Sequence, residues 1–157
     1  MVKEIGAGDL EQALGLVNAV FSEFVASDYS ERGRTEFENY LKNKQAEVSS
    51  DVEAGRKKVW GYYENDEILG VIATRDISHV ALMFVDKLHH RKGIAKQMFR
   101  VALDNVKENK DITQMTVHSS PYAVKVYERL GFVQTDKQQE KNGIIYIPMG
   151  RPVLLSE

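Results

Sequence analysis

His90-Arg91-Lys92-Gly93-Ile94-Ala95 is the stretch that decides the fold, because it places a basic, glycine-containing turn between an apolar run and an amphipathic segment. The run before it, Val80-Ala81-Leu82-Met83-Phe84-Val85, has the length of a buried strand and is too short to indicate a helix. The segment after it predicts a helix with an apolar stripe. The residues expected on that stripe are Ile94, Met98, Val101, Ala102 and Asn105, widened by Ala95, Phe99 and Val106. The predicted order is therefore strand, turn, helix.

The turn before this helix has the chemistry of an anion site. The first N–H groups of a helix lack partners within the helix, and the helix dipole adds partial positive charge there, so anions bind at such ends. Gly93 has no Cβ and lets a phosphate oxygen approach the main chain, and Ala95 is the next smallest residue. The basic residues are Lys87, Arg91, Lys92 and Lys96, with no acidic residue between the first and the last. The alternative is a solvated basic surface.

A second motif follows, Ser119-Ser120-Pro121-Tyr122-Ala123-Val124-Lys125-Val126-Tyr127-Glu128-Arg129-Leu130-Gly131-Phe132. Ser120 suits an N-cap, Pro121 suits the first helical position, and Gly131 suits the left-handed residue that ends a helix. The motif thus predicts a short helix with both ends marked. The residues expected on its apolar face are Ala123, Val126, Tyr127 and Leu130, so Tyr127 is also explained as a packed core aromatic.

Together the two motifs resemble the GCN5-related N-acetyltransferase (GNAT) family, whose acyl-CoA site has a Gln/Arg-x-x-Gly-x-Gly/Ala loop and, downstream, an Asn-x-x-Ala-x-x-x-Tyr-x-x-Leu-Gly-Phe helix. The matching residues are Gly93, Ala95, Ala123, Tyr127, Leu130, Gly131 and Phe132. The resemblance is close over residues 79–149 and rests on element order over residues 1–78. It departs at His90, where the family prefers Gln or Arg, and at Ser120, where it prefers Asn.

The resemblance implies an α/β (α+β) fold: a mixed, mostly antiparallel sheet flanked by helices, with one parallel strand pair at the acyl-CoA site, in a single domain over residues 1–157. The rest of the sequence agrees with this order. The predicted strands are Val2 to Ile5, Lys58 to Tyr63, Ile68 to Thr74, Val80 to Val85, Ile112 to Val117, Phe132 to Gln138 and Ile144 to Met149. Two more helices are predicted, one beginning at Asp9 with a stripe through Phe21 and Phe24, and one from about Glu31 to Gln45. Polar turns at 64–67 and 141–143 indicate hairpins.

Composition excludes several classes of protein. A length of 157 residues suits one domain with a sizeable core, and a net charge of −2 gives no general attraction to nucleic acid. No apolar run approaches the roughly 20 residues that span a bilayer, so no membrane partner is expected and the cytoplasm is the expected location. The chain has no cysteine, which excludes thiolate metal sites and a covalent acyl-cysteine intermediate. Its histidines lack the spacing of a ligand cluster, so no metal is expected.

The resemblance implies acetyl-CoA as the cofactor and CoA as its product. The pantetheine would lie as an extra strand against main-chain groups of Phe84 and Val85, whose side chains ordinary strand packing explains. The pyrophosphate would bind the turn, and the residues expected to hold it are His90, Arg91, Lys92, Gly93, Ile94 and Ala95. Ser120, in place of the family's Asn, is the remaining cofactor-binding candidate.

Tyr127 and His118 are the catalytic candidates. The resemblance gives Tyr127 the role of proton donor to the departing thiolate. Because a phenol has a pKa near 10 and a thiol one near 8.5, hydrogen bonding to sulfur is the alternative to full transfer. His118 ends the strand before the Tyr127 helix and is placed to accept the proton of the amine, directly or through water. Asp76 and His79 are poorer candidates, and a structural or surface role also explains His118.

The expected function is direct transfer of an acetyl group to a primary amine of a small molecule or peptide. The acceptor would lie against the first two helices, on aromatic residues (Phe24, Tyr29, Phe37 and Tyr40) and acidic residues (Glu23, Asp28, Glu31 and Glu36). One alternative is a non-catalytic CoA-binding sensor or accessory module, and another is a scaffold that binds only protein. The resemblance implies that a homodimer is plausible, because homodimers are common in the family. The sequence itself decides neither the oligomeric state nor the acceptor.

Overall fold

The computed structural model describes residues 1–20, 22–23, 29–43, 50–86 and 92–154. The helices are α1 (Leu10–Val20), α2 (Glu31–Asn43), α3 (Ile94–Lys107) and α4 (Val124–Arg129). The strands are β1 (Val2–Glu4), β2 (Lys57–Glu64), β3 (Glu67–Arg75), β4 (His79–Val85), β5 (Gln114–Ser119), β6 (Val133–Gln134), β7 (Gln139–Lys141) and β8 (Ile144–Pro152). Short 3₁₀-helices over Ala7–Asp9 and Pro121–Ala123 precede α1 and α4. In this described part of the chain, no helix has the length and apolarity to cross a membrane.

The strands form one mixed sheet in the order β1-β2-β3-β4-β5-β8-β6, and β7 pairs with β8 outside that path. Neighbouring strands are antiparallel, except that β4 and β5 are parallel. The predicted sheet with one parallel pair is therefore confirmed. The last strand of the described chain lies inside the sheet, because β8 pairs with β5 on one side and with β6 on the other.

Two tight turns form where the sequence predicts hairpins. Asn65 and Asp66 have φ angles of 52° and 65°, and Asn142 and Gly143 have φ angles of 54° and 81°. Asparagine, aspartate and glycine accept such positive φ angles most readily, and two-residue turns of this kind match the twist of the strands they join. These residues therefore fix the pairing of β2 with β3 and of β7 with β8.

Strand β3 lies in the middle of the core, with helices on both faces of the sheet. Leu69 and Ile72 belong to the core beneath α3, whereas Ile68 and Val71 belong to the core beneath α1. A strand covered on both faces reads as a nearly continuous apolar run, which explains the sequence Ile68-Leu69-Gly70-Val71-Ile72-Ala73. Burial of each such large side chain contributes about 1.5–3 kcal/mol before the entropic cost of folding is counted.

The predicted apolar face of α3 differs from the observed one at Leu103 and Asn105. The buried residues of this helix are Ile94, Met98, Phe99, Ala102, Leu103 and Val106. Val101 and Asn105 are only half-buried, and Asn105 accepts a hydrogen bond from Lys58 at the flank of the helix. The helix packs closely on Gly70, where an added Cβ would lie 3.0 Å from both Ile94 and Met98. Leu103 is fully buried in this core, and Val101 packs against the core from its edge.

The predicted element boundaries need further correction. The expected strand Phe132 to Gln138 is limited to Val133–Gln134, because residues 135–138 form a loop around Asp136 before β7 begins. The expected strand Ile112 to Val117 is displaced to Gln114–Ser119, since the main chain turns back at Ile112, whose N–H donates to the Asn109 carbonyl. The second helix begins at Glu31 as predicted and is described as far as Asn43. Predictions for Phe21, Phe24, Lys44 and Gln45 lie outside the described residues.

Candidate functional site

Strands β4 and β5 separate soon after they begin. Their ladder joins His79 to Thr116 and Val80 to Val117. Beyond this point β4 continues to Val85 alongside β3, and β5 continues to Ser119 alongside β8. The result is a wedge-shaped gap between the later parts of the two strands, which we call the fork.

A β-bulge lies at the point where the fork opens. Ala73 of β3 faces Leu82 of β4, whereas its neighbour Thr74 faces Val80, so Ala81 is an extra residue in β4. A bulge bends its strand and increases the local twist. The bend therefore turns the end of β4 away from β5 directly after their last paired residue.

The turn before α3 has the geometry expected of an anion site. Gly93 is the N-cap of α3 with a φ of 78°, a left-handed conformation that favours glycine. Among the described residues no side chain caps this end of the helix, and an added Cβ on Gly93 would meet none of their atoms within 4 Å. Lys92 and Gly93 are exposed, Ala95 is half-buried and Ile94 packs into the core. His90 and Arg91 lie outside the described residues, so the structure gives no position for these two candidates.

The second motif forms a helix whose ends are those that the sequence predicts, with a 3₁₀ first turn. The Ser120 hydroxyl accepts a hydrogen bond from the Ala123 N–H at 3.2 Å, as an N-cap does. At the other end Gly131 has a φ of 93°, and the Phe132 N–H donates to the Tyr127 carbonyl at 3.0 Å. These two caps fix the helix directly after β5, with Tyr127 in its middle.

The Tyr127 side chain is 5% exposed, and its ring meets the Phe132 ring edge-on at a centroid distance of 5.5 Å. Burial raises the pKa of the Tyr127 phenol far above its ordinary value, so the hydroxyl stays protonated at neutral pH. Within the described residues this hydroxyl makes no hydrogen bond, which leaves it available to donate to a ligand.

His118 belongs to a group of three rings, His79, His118 and Tyr146, which we call the ring cluster. The His118 ring stacks on Tyr146 at a centroid distance of 4.5 Å, and His79 approaches it edge-on at 4.8 Å. Burial and, after it, the Arg75 guanidinium lower the pKa of His118 and lower the pKa of His79 to about 4. Both imidazoles are therefore neutral at neutral pH, which is the form that accepts a proton.

The ring cluster lies at the start of the fork, because His79 and His118 flank the residues at which β4 and β5 part. His79 Nδ1 also lies 2.8 Å from the Thr116 hydroxyl oxygen. Nothing in the local sequence marks Tyr146 as part of this site. Its stacking partner is 28 positions away, at a separation set only by the β5–β8 register.

On the face of the sheet near α2, three aromatic rings form a chain. Tyr29 meets Phe37 edge-on at 6.4 Å, and Phe37 meets Phe84 at 6.5 Å. Phe37 and Phe84 pack against the core beneath α1, which supports the packing explanation for their side chains. Phe24, Asp28 and the Tyr40 side chain lie outside the described residues. The structure therefore describes only part of the surface that is expected to bind the acceptor.

The start of α2 is fixed to the β7–β8 hairpin. The Ser30 hydroxyl donates to the Gly143 carbonyl at 3.1 Å and accepts from the Gly33 N–H at 3.1 Å. Gly33 and Gly143 approach so closely that an added Cβ on Gly33 would overlap the Gly143 carbonyl oxygen. A glycine inside a helical pattern was the available sequence signal for this contact. The contact holds α2 over the side of the sheet that carries the ring cluster.

The candidate residues thus surround the fork from two sides. The end of β4, with Phe84 and Val85, leads toward the Gly93 turn, and the end of β5, with His118, leads into Ser120 and the Tyr127 helix. A long ligand with an anionic end and a reactive end fits this arrangement. Among the described side chains, no group of three or more histidine or acidic residues is arranged to hold a metal ion.

Comparison with protein families gives one clear match. A family model described as an acetyltransferase (GNAT) domain matches residues 25–151, which is most of the chain. A comparison of the sequence with curated proteins finds no match.

Solved structures show the same fold. The PaiA N-acetyltransferase of Thermoplasma acidophilum in complex with coenzyme A has a TM-score of 0.78 at 15% identity, over 97% of this chain and 98% of that one. A GCN5-related N-acetyltransferase from Rhodopseudomonas palustris has a TM-score of 0.77 at 15% identity, over 97% and 94%. An aminoglycoside 6'-N-acetyltransferase complexed with coenzyme A has a TM-score of 0.70 at 11% identity, over 98% and 97%.

Proposed function

The chain belongs to the GNAT acetyltransferase family, and from this premise we propose that it transfers an acetyl group from acetyl-CoA directly to a primary amine of a small molecule or peptide. The observation that carries the proposal is the fork between β4 and β5, with the Gly93 turn at one end and Tyr127 beside it. Two of the structural relatives are complexes with coenzyme A, which supports acetyl-CoA as the donor and CoA as the product. In this proposal residues 1–157 form a single N-acetyltransferase domain.

In this proposal the main chain of Phe84 and Val85 binds the pantetheine amides in the manner of an added strand. The pyrophosphate binds at the N-terminal end of α3, where the first N–H groups and the helix dipole favour an anion. The residues proposed to hold it are His90, Arg91, Lys92, Gly93, Ile94 and Ala95. Ser120 is the proposed contact on the other side of the fork, where its hydroxyl, which accepts from Ala123, still has a proton to donate.

The proposed reaction joins the amine nitrogen to the acetyl carbon and breaks the bond from that carbon to sulfur. His118, neutral because burial lowers its pKa, accepts the proton that the amine loses, directly or through a water molecule. The Tyr127 hydroxyl donates a hydrogen bond or its proton to the departing thiolate. A raised phenol pKa makes this donor a weaker acid than usual, so hydrogen bonding to sulfur is its main contribution.

The test of cofactor binding is thermal unfolding with and without acetyl-CoA. A ligand at about a hundred times its dissociation constant adds about 2.7 kcal/mol of stability, which is several degrees for a domain of this size. Gly93→Arg fills the anion turn and should abolish the shift. Gly55→Arg is the matched control, because Gly55 has a φ of 80° and equally open surroundings but lies outside the fork. No shift with the unaltered protein would overturn the proposal.

The test of turnover is release of free CoA from acetyl-CoA in the presence of primary amines. A lysine-containing peptide, a polyamine and an arylalkylamine sample the acceptor classes. Amine-dependent release of CoA supports the transferase. A thermal shift with no release for any amine favours the alternative, a CoA-binding sensor or accessory module. The cytoplasm is the proposed compartment.

A further inference from the structure

A continuous series of side-chain contacts runs from His118 to the loop between β6 and β7. The His118 ring stacks on Tyr146 with an angle of 25° between the ring planes. The Tyr146 hydroxyl donates to the Gln139 side-chain oxygen at 2.9 Å, and the Gln139 side-chain nitrogen donates to the Asp136 carboxylate at 3.0 Å. Three side chains from β7, β8 and the β6–β7 loop therefore support one face of the His118 ring.

Asp136 is the residue around which that loop is built. Its second carboxylate oxygen accepts from the Lys137 N–H at 2.8 Å, and its carbonyl accepts from the Gln134 side chain at 2.8 Å. Together with the bond from Gln139, these contacts make Asp136 the acceptor of three hydrogen bonds within six residues. The position of Gln139, and through it of the Tyr146 ring, is set by this loop.

Resting on the proposed acetyl transfer, we propose that Tyr146 is a positioning residue that holds His118 in the orientation in which it accepts the proton of the amine. The His118 side chain lies on the exposed side of β5, where a histidine without a neighbour would sample several staggered rotamers. Stacking on Tyr146 and the edge contact with His79 restrict it to one of them. Gln139 and Asp136 act through Tyr146.

The Tyr146 ring also controls the surroundings of the His118 imidazole. Burial is the largest cause of the lowered pKa of His118, and the ring stacked on its face supplies part of that burial. The charged or titratable groups around His118 are Arg75 from β3, His79 from β4 and Tyr146 from β8. Removal of the ring leaves the Arg75 charge in place and restores water to one face, so the pKa of His118 should rise toward its ordinary value of about 6.5.

The first test is the NMR titration of His118 in the ligand-free protein, with the signal assigned from a His118→Gln variant. Tyr146→Leu replaces the ring with a smaller side chain that gives water access to one face of His118, and it should raise the titration midpoint toward 6.5. Tyr146→Phe keeps the ring and should leave the midpoint close to that of the unaltered protein. Lys137→Ala is the matched control, because only the main chain of Lys137 takes part in the loop network. An unchanged midpoint in folded Tyr146→Leu would overturn the proposal.

The second test uses an amine that the protein acetylates. Tyr146→Leu should lower kcat by about tenfold or more and leave the KM for acetyl-CoA within about twofold, because the acceptor side alone is disturbed. In a His118→Gln background the same substitution should have no further effect on kcat. An equal loss in both backgrounds would show that Tyr146 acts on the fold and not on His118. If no amine is acetylated, the proposed function fails, whereas the titration still decides the contact between Tyr146 and His118.

Discussion

The Arg151 guanidinium donates a hydrogen bond to the Leu130 carbonyl at 2.8 Å, and this contact ties β8 to the end of the Tyr127 helix. Arg151 is 8% exposed, and its guanidinium lies over the Phe99 ring at 5.4 Å. Leu130 is the C-cap residue that follows α4, at the helix end where carbonyl groups lack partners within the helix. A buried cation at this position therefore satisfies the helix end and holds Tyr127 relative to the sheet.

Replacement of Arg151 should destabilise the protein. Arg151→Ala leaves the Leu130 carbonyl without this donor and removes the contact with Phe99, at a cost of about 2–4 kcal/mol. Arg151→Lys keeps the charge and loses the branched guanidinium with its several donors, so the loss of stability should be smaller. Urea unfolding of both variants measures the difference. A loss below about 0.5 kcal/mol for Arg151→Ala would show that Arg151 does not hold the helix.

Two helical glycines should respond in opposite ways to alanine. Gly33→Ala places a Cβ against the Gly143 carbonyl and should destabilise the protein by about 1–3 kcal/mol despite the higher helix propensity of alanine. Gly15→Ala in α1 is the matched control, because an added Cβ there meets no atom within 4 Å. It should stabilise by about 0.5–1 kcal/mol. Equal effects measured in urea would contradict the close contact between α2 and the hairpin.

Tyr127→Phe should separate turnover from binding. The substitution removes a hydroxyl that has no hydrogen bond within the described residues, so stability and the thermal shift with acetyl-CoA should change little. Loss of the donor to the thiolate should lower kcat by about tenfold to a hundredfold. Steady-state kinetics with any accepted amine measures this. A kcat equal to that of the unaltered enzyme would remove Tyr127 from the reaction.

His79 should make stability depend on pH. Its pKa is lowered to about 4 in the folded protein, chiefly by burial, and is about 6.5 in the unfolded chain. Between these values the unfolded chain binds more protons, so stability falls as the pH falls from about 6.5 toward 4. Urea unfolding at pH 7 and pH 5.5 samples this window while most carboxylates remain ionised. His79→Gln should reduce the loss of stability on acidification, and an unchanged loss would show that other groups cause it.

Features that depend on neighbours in the chain could be predicted from the sequence. The Asn142-Gly143 turn, the Ser120 cap and the Gly131 helix end follow from the conformations that these residue types accept. The parallel pair also follows from local order, because a strand, helix, strand sequence favours it. These predictions hold since no distant partner is needed to decide them.

Features that depend on distant partners could not be predicted. The predicted face of α3 omits Leu103, whose burial depends on how the helix packs on β3 near Gly70. The stacking of His118 on Tyr146 requires the β5–β8 register. The sequence analysis makes no prediction for Arg151, because only the fold brings it against the end of the Tyr127 helix.

The location of β8 inside the sheet has a consequence for the chain as it emerges from the ribosome. Strands β5, β6 and β7 all pair with β8, and all three are synthesised before it. Until β8 appears, a nascent chain exposes the open edge of β5, and open edges pair readily with other chains. A released chain that ends between residues 119 and 144 would therefore display this aggregation-prone edge, whereas the full chain covers it with β8.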